Sequence, residues 1–564
     1  LKQGKFPSLL EEIVISFSLG AGAWAIFVLF LGLLGIIRKE VYLLFLIPFS
    51  LYGLFLLWKS RKDFHCYPPL LILSPFLYLA FLGIFTPPLS YDALAYHLAI
   101  PKFYIMQGKI TYLPYHLYSD FPFNMEMLYL LALRIFDDYI VKGLHLLMGV
   151  VLGMAVYSWA RREGGKKGGL WAAFLYFSIP LFLQLGTLAY NDLALALFVF
   201  LAFYALSTFS NRQGVILSGV FSGLAMGTKY TGILFTLPFL FLYILFFNKE
   251  EKGWKPALVY LVVALLTFAP WMIKNIHFTG NPLFPLFYPL LGGKNFSLLL
   301  YQKFLSAHRA SSASLTGFFS YTYHLLADSR FGFHFLLLIP LLFFPLAKKY
   351  RFLSFYALYL LLILYFFTYR GTRFAFPLFP FLALLMGILL NRIKFTRLTL
   401  IFLQSVVIFS LSLNWFKDMA YFNYYDFGKV SLRLTGRDEY LREKLYFYPA
   451  NEFINKNLPA NSRILFVADN QTYYCDIPYI SYSPLDKNPF ADLIRESSTP
   501  QQVEAKLKEW GVTHILFNVS EFKRVEETYR PFAWKEKDLE KFRNFLASCE
   551  KIYDQKGVSV YALP

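Results

Sequence analysis

Residues 68–102 read PPLLILSPFLYLAFLGIFT-PPLSYDALAYHLAIPK: an apolar run of nineteen residues, a Pro-Pro stop, then a short acid-bearing segment ending at Lys102. A run of that length spans much of the roughly 30 Å of hydrocarbon in a bilayer, and the acid-bearing segment at its end puts Asp92 beside the membrane surface. The same pattern extends in both directions. Apolar runs fall near 13–37, 41–58, 68–86, 139–160, 170–188, 191–208, 214–228, 230–248, 257–273, 333–346, 353–368, 374–390 and 398–415. They predict a polytopic α-helical membrane protein of about 13 crossings. Composition agrees, because 57% of the 564 residues are hydrophobic and only 16% are charged, against roughly 25% charged in soluble chains. Disorder, a disulfide scaffold built on 3 Cys and a fibrous repeat are excluded by the same figures.

The net charge of +19 does not point to nucleic acid. From Lys417 onward 21 basic residues meet 21 acidic ones, so residues 1–416 hold the whole surplus, 33 basic against 14 acidic. Most of that surplus sits in the short connectors Lys59 to Lys62, Arg161 to Lys167, Lys249 to Lys255, Lys348 to Arg351 and Arg392 to Arg397. The positive-inside rule puts all five on the cytoplasmic side. One alternating path satisfies them: the N-terminus inside, and loop 87–121, segment 274–332 and everything after Trp415 outside. Residues 122–136 are apolar but carry Glu126 and Arg134. They fit the path only as a half-buried or re-entrant piece. The first run, about 25 apolar residues long, exceeds a signal-peptide core and is expected to stay as a helix.

After Trp415 the texture changes. Arg463-Ile-Leu-Phe-Val-Ala, Thr513-His-Ile-Leu-Phe-Asn and Val558-Ser-Val-Tyr-Ala-Leu read as short buried strands, separated by helix-like Pro500 to Trp510 and Lys537 to Cys549. The chain therefore divides into 1–67, two extra N-terminal membrane helices that look like additions; 68–415, the main membrane module; and 416–564, an outer soluble α/β domain. Cys475 and Cys549 lie in that outer domain, where a disulfide between them is an open expectation; Cys66 lies by a cytoplasmic connector.

Ionisable groups at membrane depth are costly and tend to be functional. Asp92, Asp120, Asp192 and Asp328, with the cations Lys229, Arg370 and Arg373, all come to the outer face on this path. Asp92 opens a stretch to Gln107 with Leu94, His97, Leu98, Pro101 and Ile105 roughly on one side, which predicts an amphipathic helix in the interface. Asp92 is a catalytic acid-base candidate or a helix N-cap; Asp192 likewise acts or caps. Lys229 snorkels or binds a phosphate headgroup. Arg373 and Arg370 offer fork-shaped donors to phosphate oxygens, or anchor to ordinary phospholipid. His97 and Asp120 are substrate-site candidates. No tight metal-ligand spacing exists, so no metal ligands are assigned; a divalent ion held by Asp92, His97, His116 and Asp120 is conceivable but not required.

Several stretches together resemble one superfamily: Tyr91-Asp-Ala-Leu-Ala-Tyr-His-Leu-Ala-Ile-Pro, Tyr190-Asn-Asp, Gly223-Leu-Ala-Met-Gly-Thr-Lys-Tyr-Thr, Pro270-Trp-Met-Ile-Lys-Asn-Ile-His-Phe-Thr-Gly-Asn-Pro and Arg373-Phe-Ala-Phe-Pro-Leu-Phe-Pro. They are similar to the GT-C glycosyltransferases, and within them to the family 39-like group that includes protein O-mannosyltransferases and lipid A aminoarabinose transferases. The resemblance covers residues 68–415. It implies a membrane enzyme that takes a sugar from a polyprenyl-phosphate donor and passes it, with inversion, to an extracytoplasmic glycan, lipid or protein acceptor. It also implies that the first-loop aspartate, here Asp92, is the catalytic base. Many members carry a second acid next to it; here Ala93 takes that place, which weakens any two-carboxylate or metal scheme. The competing expectation is a transporter or flippase of a lipid-linked saccharide, which would use the same cations without a base.

Overall fold

The computed structural model describes residues 8–59, 74–209, 211–248, 251–308, 314–338, 350–392 and 396–564. Connector residues 60–62 and Cys66 lie outside the described residues, as do parts of the helices expected over 68–86 and 333–346 and of the connectors near 249, 348 and 393. Helices Leu9–Leu33, Lys39–Lys59, Ser74–Ile84, Asp192–Thr208, Asn211–Thr228, Thr231–Phe246, Trp254–Thr279, Arg351–Phe367, Phe379–Arg392 and Arg397–Tyr424 form a membrane bundle. Its outward side chains are apolar: Leu44, Ile47, Phe49 and Leu51 of the second helix are all more than half exposed, as a lipid-facing surface requires. The first helix is no appendage. Its Val14, Ile15, Ala25 and Val28 are in the common core, and Gly32 O accepts from Ile110 N–H at 2.8 Å.

Asp138–Phe177 is helical throughout but is two crossings, not one. Gly165 sits between its limbs at φ 71° and ψ −179°, a backbone region open essentially to glycine alone. The chain reverses there, so that Gly153 meets the Phe177 ring, Gly169 meets Tyr157, and Tyr176 OH donates to Gly149 O at 3.0 Å. The turn lies inside the expected connector Arg161 to Lys167. A Cβ at Gly165 is strained, and Gly165→Ala is expected to cost about 1–3 kcal/mol, measured as a lowered thermal midpoint of the purified protein. The second limb departs from expectation. The helix read over 170–188 stops at Ser178 and restarts as Pro180–Gly186, because proline has no N–H to give and biases the preceding residue away from helix.

The two ends of the bundle are distinct. At one end Arg162 reaches Glu11 (3.3 Å), Tyr350 OH donates to Glu163 (2.6 Å), and Asn391 donates to Gly164 O (2.5 Å). At the other end Lys142 donates to Thr86 O (2.7 Å), and Lys417 to Ser329 O (3.2 Å). The connectors around Arg162, Tyr350 and Asn391 thus meet at one end, and the described loop segments with the tail lie at the other. Helix Asn124–Ile135 joins only the second. Its twelve residues reach about 18 Å, too short to cross. Asn124 accepts from Trp271 Nε1 at 2.8 Å while Arg134 donates to Ile37 O at 3.2 Å, so both of its ends touch loop-side elements.

The C-terminal domain is a five-stranded sheet of β1 (Ile464–Val467), β2 (Tyr479–Ile480), β3 (His514–Asn518), β4 (Glu550–Gln555) and β5 (Val558–Ala562), in the order β2-β1-β3-β5-β4. β2, β1 and β3 run parallel, while β5 is antiparallel to β3 and β4. Helices Pro500–Glu509 and Glu536–Ala547 fall where expected. The disulfide does not form: Cys475 and Cys549 are both free and buried. Cys475 belongs to the core facing the membrane module and Cys549 to the separate core on the other side of the sheet.

Candidate active site

The apolar helix Ser74–Ile84 gives way to Thr86-Pro-Pro, and the chain turns into Asp92. Residues Ala93–His97 form one wide helical turn, closed by Leu98 N–H on Ala93 O at 2.9 Å, before the helix Ala99–Gln107. Such widened turns recur at functional sites. The amphipathic interfacial helix expected here is instead buried on both sides: Ala93, Leu94, Ala95, His97, Leu98, Ala99 and Ile100 are all closed off, and Ile105 is half-buried. The reason is that the C-terminal domain lies against it.

Asp92 caps nothing. Its backbone is helical, its side chain makes no cap bond, and Oδ2 accepts from Arg373 Nη2 at 2.5 Å. Arg373 stands in the tight turn Thr372–Leu378, where Pro377 has no N–H to continue an α-helical ladder. Its guanidinium lies over the Tyr190 ring (4.7 Å) and near that of Phe374 (5.2 Å). Beside it Lys229 Nζ donates to Asp192 Oδ1 at 2.9 Å and lies 4.4 Å from the Phe374 ring centre. Lys229 occupies the vertex between helices Asn211–Thr228 and Thr231–Phe246, while Asp192 opens its own helix, where the dipole favours an anion. Asp192 is 3% exposed, but Lys229, Asp92 and Arg373 keep 19%, 23% and 27% of their side-chain surface. One acid is buried as a support, and the other three groups remain partly exposed.

Behind this pair of ion pairs, His97 Nδ1 lies 2.5 Å from Glu126 Oε1, which also accepts from Asn191 Nδ2 at 3.0 Å. Burial, with Lys229 and Arg373 adding to it, pushes His97 well below its ordinary value and keeps the ring neutral. His97 is thus a packed hydrogen-bonding residue under the site. Glu126, Tyr190 and Asn191 join the site without having been singled out by the sequence as site residues; for Glu126 the signal is there, an acid within an apolar run. Tyr96 stacks on Tyr118 at 4.5 Å and continues an aromatic wall from His97.

Asp120 is set apart. It is buried near Lys274, which donates to Ser119 O at 2.7 Å, and burial pushes the carboxyl up to about 7. Arg370 turns to Tyr365, with its guanidinium 3.9 Å from the ring centre and Nε donating to Tyr365 O. The conceivable metal set is not assembled, since Asp92 faces Arg373, His97 faces Glu126 and Asp120 lies by Lys274. Among the described residues no three His, Cys, Asp or Glu side chains converge as ligands.

The C-terminal domain meets the loop through a buried carboxyl as well. Asp486 accepts from Leu117 N–H at 2.5 Å, yet burial pushes it up to about 7. Its unfolded value is about 3.9, so between roughly pH 4 and 7 the folded protein binds the extra proton and loses stability as pH rises. Asp486→Asn is expected to flatten that fall, read from thermal midpoints at pH 5 and pH 8.

Residues 125–273 match the family model described as dolichyl-phosphate-mannose-protein mannosyltransferase. No curated protein matches the sequence. Among solved structures the chain is similar to ArnT from Cupriavidus metallidurans bound to undecaprenyl phosphate, at 14% identity over 88% of this chain and 98% of that one, with a TM-score of 0.60. The apo form of the same protein gives 13%, 88%, 97% and 0.57. The apo oligosaccharyltransferase of Archaeoglobus fulgidus gives 14%, 87%, 74% and 0.46. The chain has the fold of the GT-C glycosyltransferases, a polytopic helical module with a smaller α/β domain at its C-terminus.

Proposed function

We propose that this chain is an integral-membrane glycosyltransferase that moves a sugar from a polyprenyl-phosphate donor to an extracytoplasmic acceptor, with the Asp92 end of the bundle outside. The observation that carries the reading is the juxtaposition of Asp92 with Arg373 and Lys229 at the loop-bearing end of a bundle whose opposite end brings together Arg162, Tyr350 and Arg392 around Glu163. ArnT holds undecaprenyl phosphate and the matching family model names a dolichyl-phosphate sugar, which supports a lipid-phosphate donor here.

The chemistry is a single displacement. A lipid phosphate is already a good leaving group, so stabilising its developing charge matters more than protonating it. Arg373 and Lys229 supply that charge. As the phosphate becomes more anionic it draws the Arg373 guanidinium from Asp92, which frees the carboxylate to take the acceptor's proton while the acceptor oxygen attacks the anomeric carbon from the opposite face. A base pinned 2.5 Å from a phosphate-binding cation serves a transferase and has no use in a flippase.

A cavity of about 360 Å3 beside the first loop, lined by Leu89, Ser90, Lys142, Thr187, Tyr421 and Lys444 among others, is the candidate acceptor site. Ser90 is two residues from Asp92. Both lysines are already engaged, Lys142 by Gly83 O and Thr86 (each 2.7 Å) and Lys444 by Asp426 (2.7 Å) and Glu443 (3.1 Å). What remains to a ligand is hydroxyls and tyrosine faces, which suits a polyhydroxylated acceptor better than an anionic one.

The test is to incubate the purified protein with a panel of polyprenyl-phosphate sugars and monitor release of free polyprenyl phosphate, with and without chelator. Release in detergent, where no gradient exists, is the expected result. Binding of several donors with consumption of none would overturn the reading, and loss of release in chelator would give a divalent ion a part.

A further inference from the structure

The connection between β1 and β2, residues 468–478, grips the first outer loop on both sides of Asp92. Tyr91 OH donates to Asn470 Oδ1 at 2.7 Å. Tyr473 N–H donates to Leu94 O at 3.2 Å and Tyr474 OH to Pro88 O at 2.7 Å. Lys102 Nζ completes the grip on Tyr473 O (2.7 Å) and Asp476 Oδ1 (2.6 Å). Residues 88, 91, 94 and 102 are thus held by one short segment, while Asp92 between them reaches across to Arg373.

The place of this grip in the sheet is informative. β2, β1 and β3 are parallel, and in open α/β sheets the crevice beyond the carboxyl ends of parallel strands is where ligands bind. Here that crevice contains Ala468, Asp469 and Asn470 after β1, Asn518 at the end of β3, and Glu521 and Arg524 of the helix that follows it. Asn518 Nδ2 donates to Asp469 Oδ2 at 2.8 Å, tying the two strand ends together. The Tyr91 ring enters this crevice and lies 4.6 Å from the Arg524 guanidinium. The soluble domain therefore holds, in the position of a ligand, the residue next to the proposed base.

We infer that the C-terminal domain is a positioning element for Asp92, acting through the Tyr91–Asn470 hydrogen bond and the neighbouring backbone clamps. The inference rests on the function proposed above for Asp92. The donor's phosphate is held by Arg373 and Lys229, neither of which the tail segment touches through these bonds, so loosening the loop misplaces the base without weakening donor binding.

The experiment uses the full chain with Tyr91→Phe, Asn470→Leu and the double variant. Each single change is expected to lower kcat about tenfold or more, as small misplacements of a reacting group do, with donor KM within about twofold because ground-state binding is untouched. The double variant is expected to lose no more than the worse single one, since both remove the same bond. Independently of activity, amide exchange across residues 88–98 should quicken by about fivefold in Asn470→Leu, with helix Asp192–Thr208 unchanged. Retained kcat in both single variants, losses that multiply, a change confined to KM, or unchanged exchange over 88–98 would each overturn the inference. Should Asn470→Leu fail to fold, Tyr91→Phe carries the test alone, because it removes one hydroxyl and leaves the ring against Arg524. Absence of donor turnover in the wild type would sink the glycosyltransferase reading and with it the catalytic purpose of the clamp, while the exchange arm would still decide whether the clamp exists.

Discussion

Asp92→Asn is expected to abolish sugar transfer while leaving the protein folded. The substitution keeps shape and one oxygen facing Arg373, so the loop has no cavity or clash to relax around. What it removes is the ability to accept a proton at the moment the acceptor oxygen attacks. A positioned general base contributes about 10²–10⁴-fold, and kcat under saturating donor should fall by that amount. Donor KM should hold or improve, because Arg373, now 2.5 Å from a carboxylate, would be more available to the phosphate. The measurement is release of free polyprenyl phosphate at several donor concentrations, alongside elution and thermal midpoint of the variant. A folded Asp92→Asn with wild-type kcat would remove Asp92 from the mechanism and leave the Arg373 pair as architecture.

The individual members of this site are legible in the sequence because charge is scarce among the apolar runs. Asp92, Asp192, Lys229 and Arg373 each interrupt or terminate such a run, and the cost of burying charge makes each one conspicuous. Their pairing is not legible. Asp92 and Arg373 are 281 positions apart, and nothing local to either encodes the partner. Glu126 is visible as a misfit in an apolar stretch, but its contact with His97 needs the short helix Asn124–Ile135 to be laid against the first loop. Element limits fail where tertiary packing outweighs local preference. The last apolar run reads as ending at Trp415, yet the helix continues to Tyr424, because the C-terminal domain and the loop end of the bundle give those polar turns a surface to pack on. β4 escapes sequence reading because Glu550–Gln555 is a polar edge strand with no buried face to write an alternating pattern. The interfacial helix expected after Asp92 fails for a related reason: its polar side is assigned to water, while the sequence of one domain does not announce the other that covers it.

Lys229→Gln tests the second half of the site and needs a partner variant to be interpretable. Lys229 neutralises Asp192, which is 3% exposed, and in the proposed function it also presents its remaining surface, with Arg373, to the donor phosphate. Removing the ammonium leaves a buried carboxylate without its cation, and breaking a buried pair costs about 3–5 kcal/mol. Lost activity in the single variant could therefore report unfolding. In Asp192→Asn/Lys229→Gln the uncompensated charge is gone, and an amide pair replaces the ion pair at similar volume, so the thermal midpoint should recover most of the loss. Transfer should not recover. The missing phosphate donor is expected to reduce kcat/KM by about 10²–10³-fold, the scale seen when one preorganised donor to a developing charge is deleted. Thermal midpoint and kcat/KM measured on wild type, single and double variants separate the roles. If the double variant regains both, Lys229 serves only to hold Asp192, and the phosphate is left to Arg373 alone.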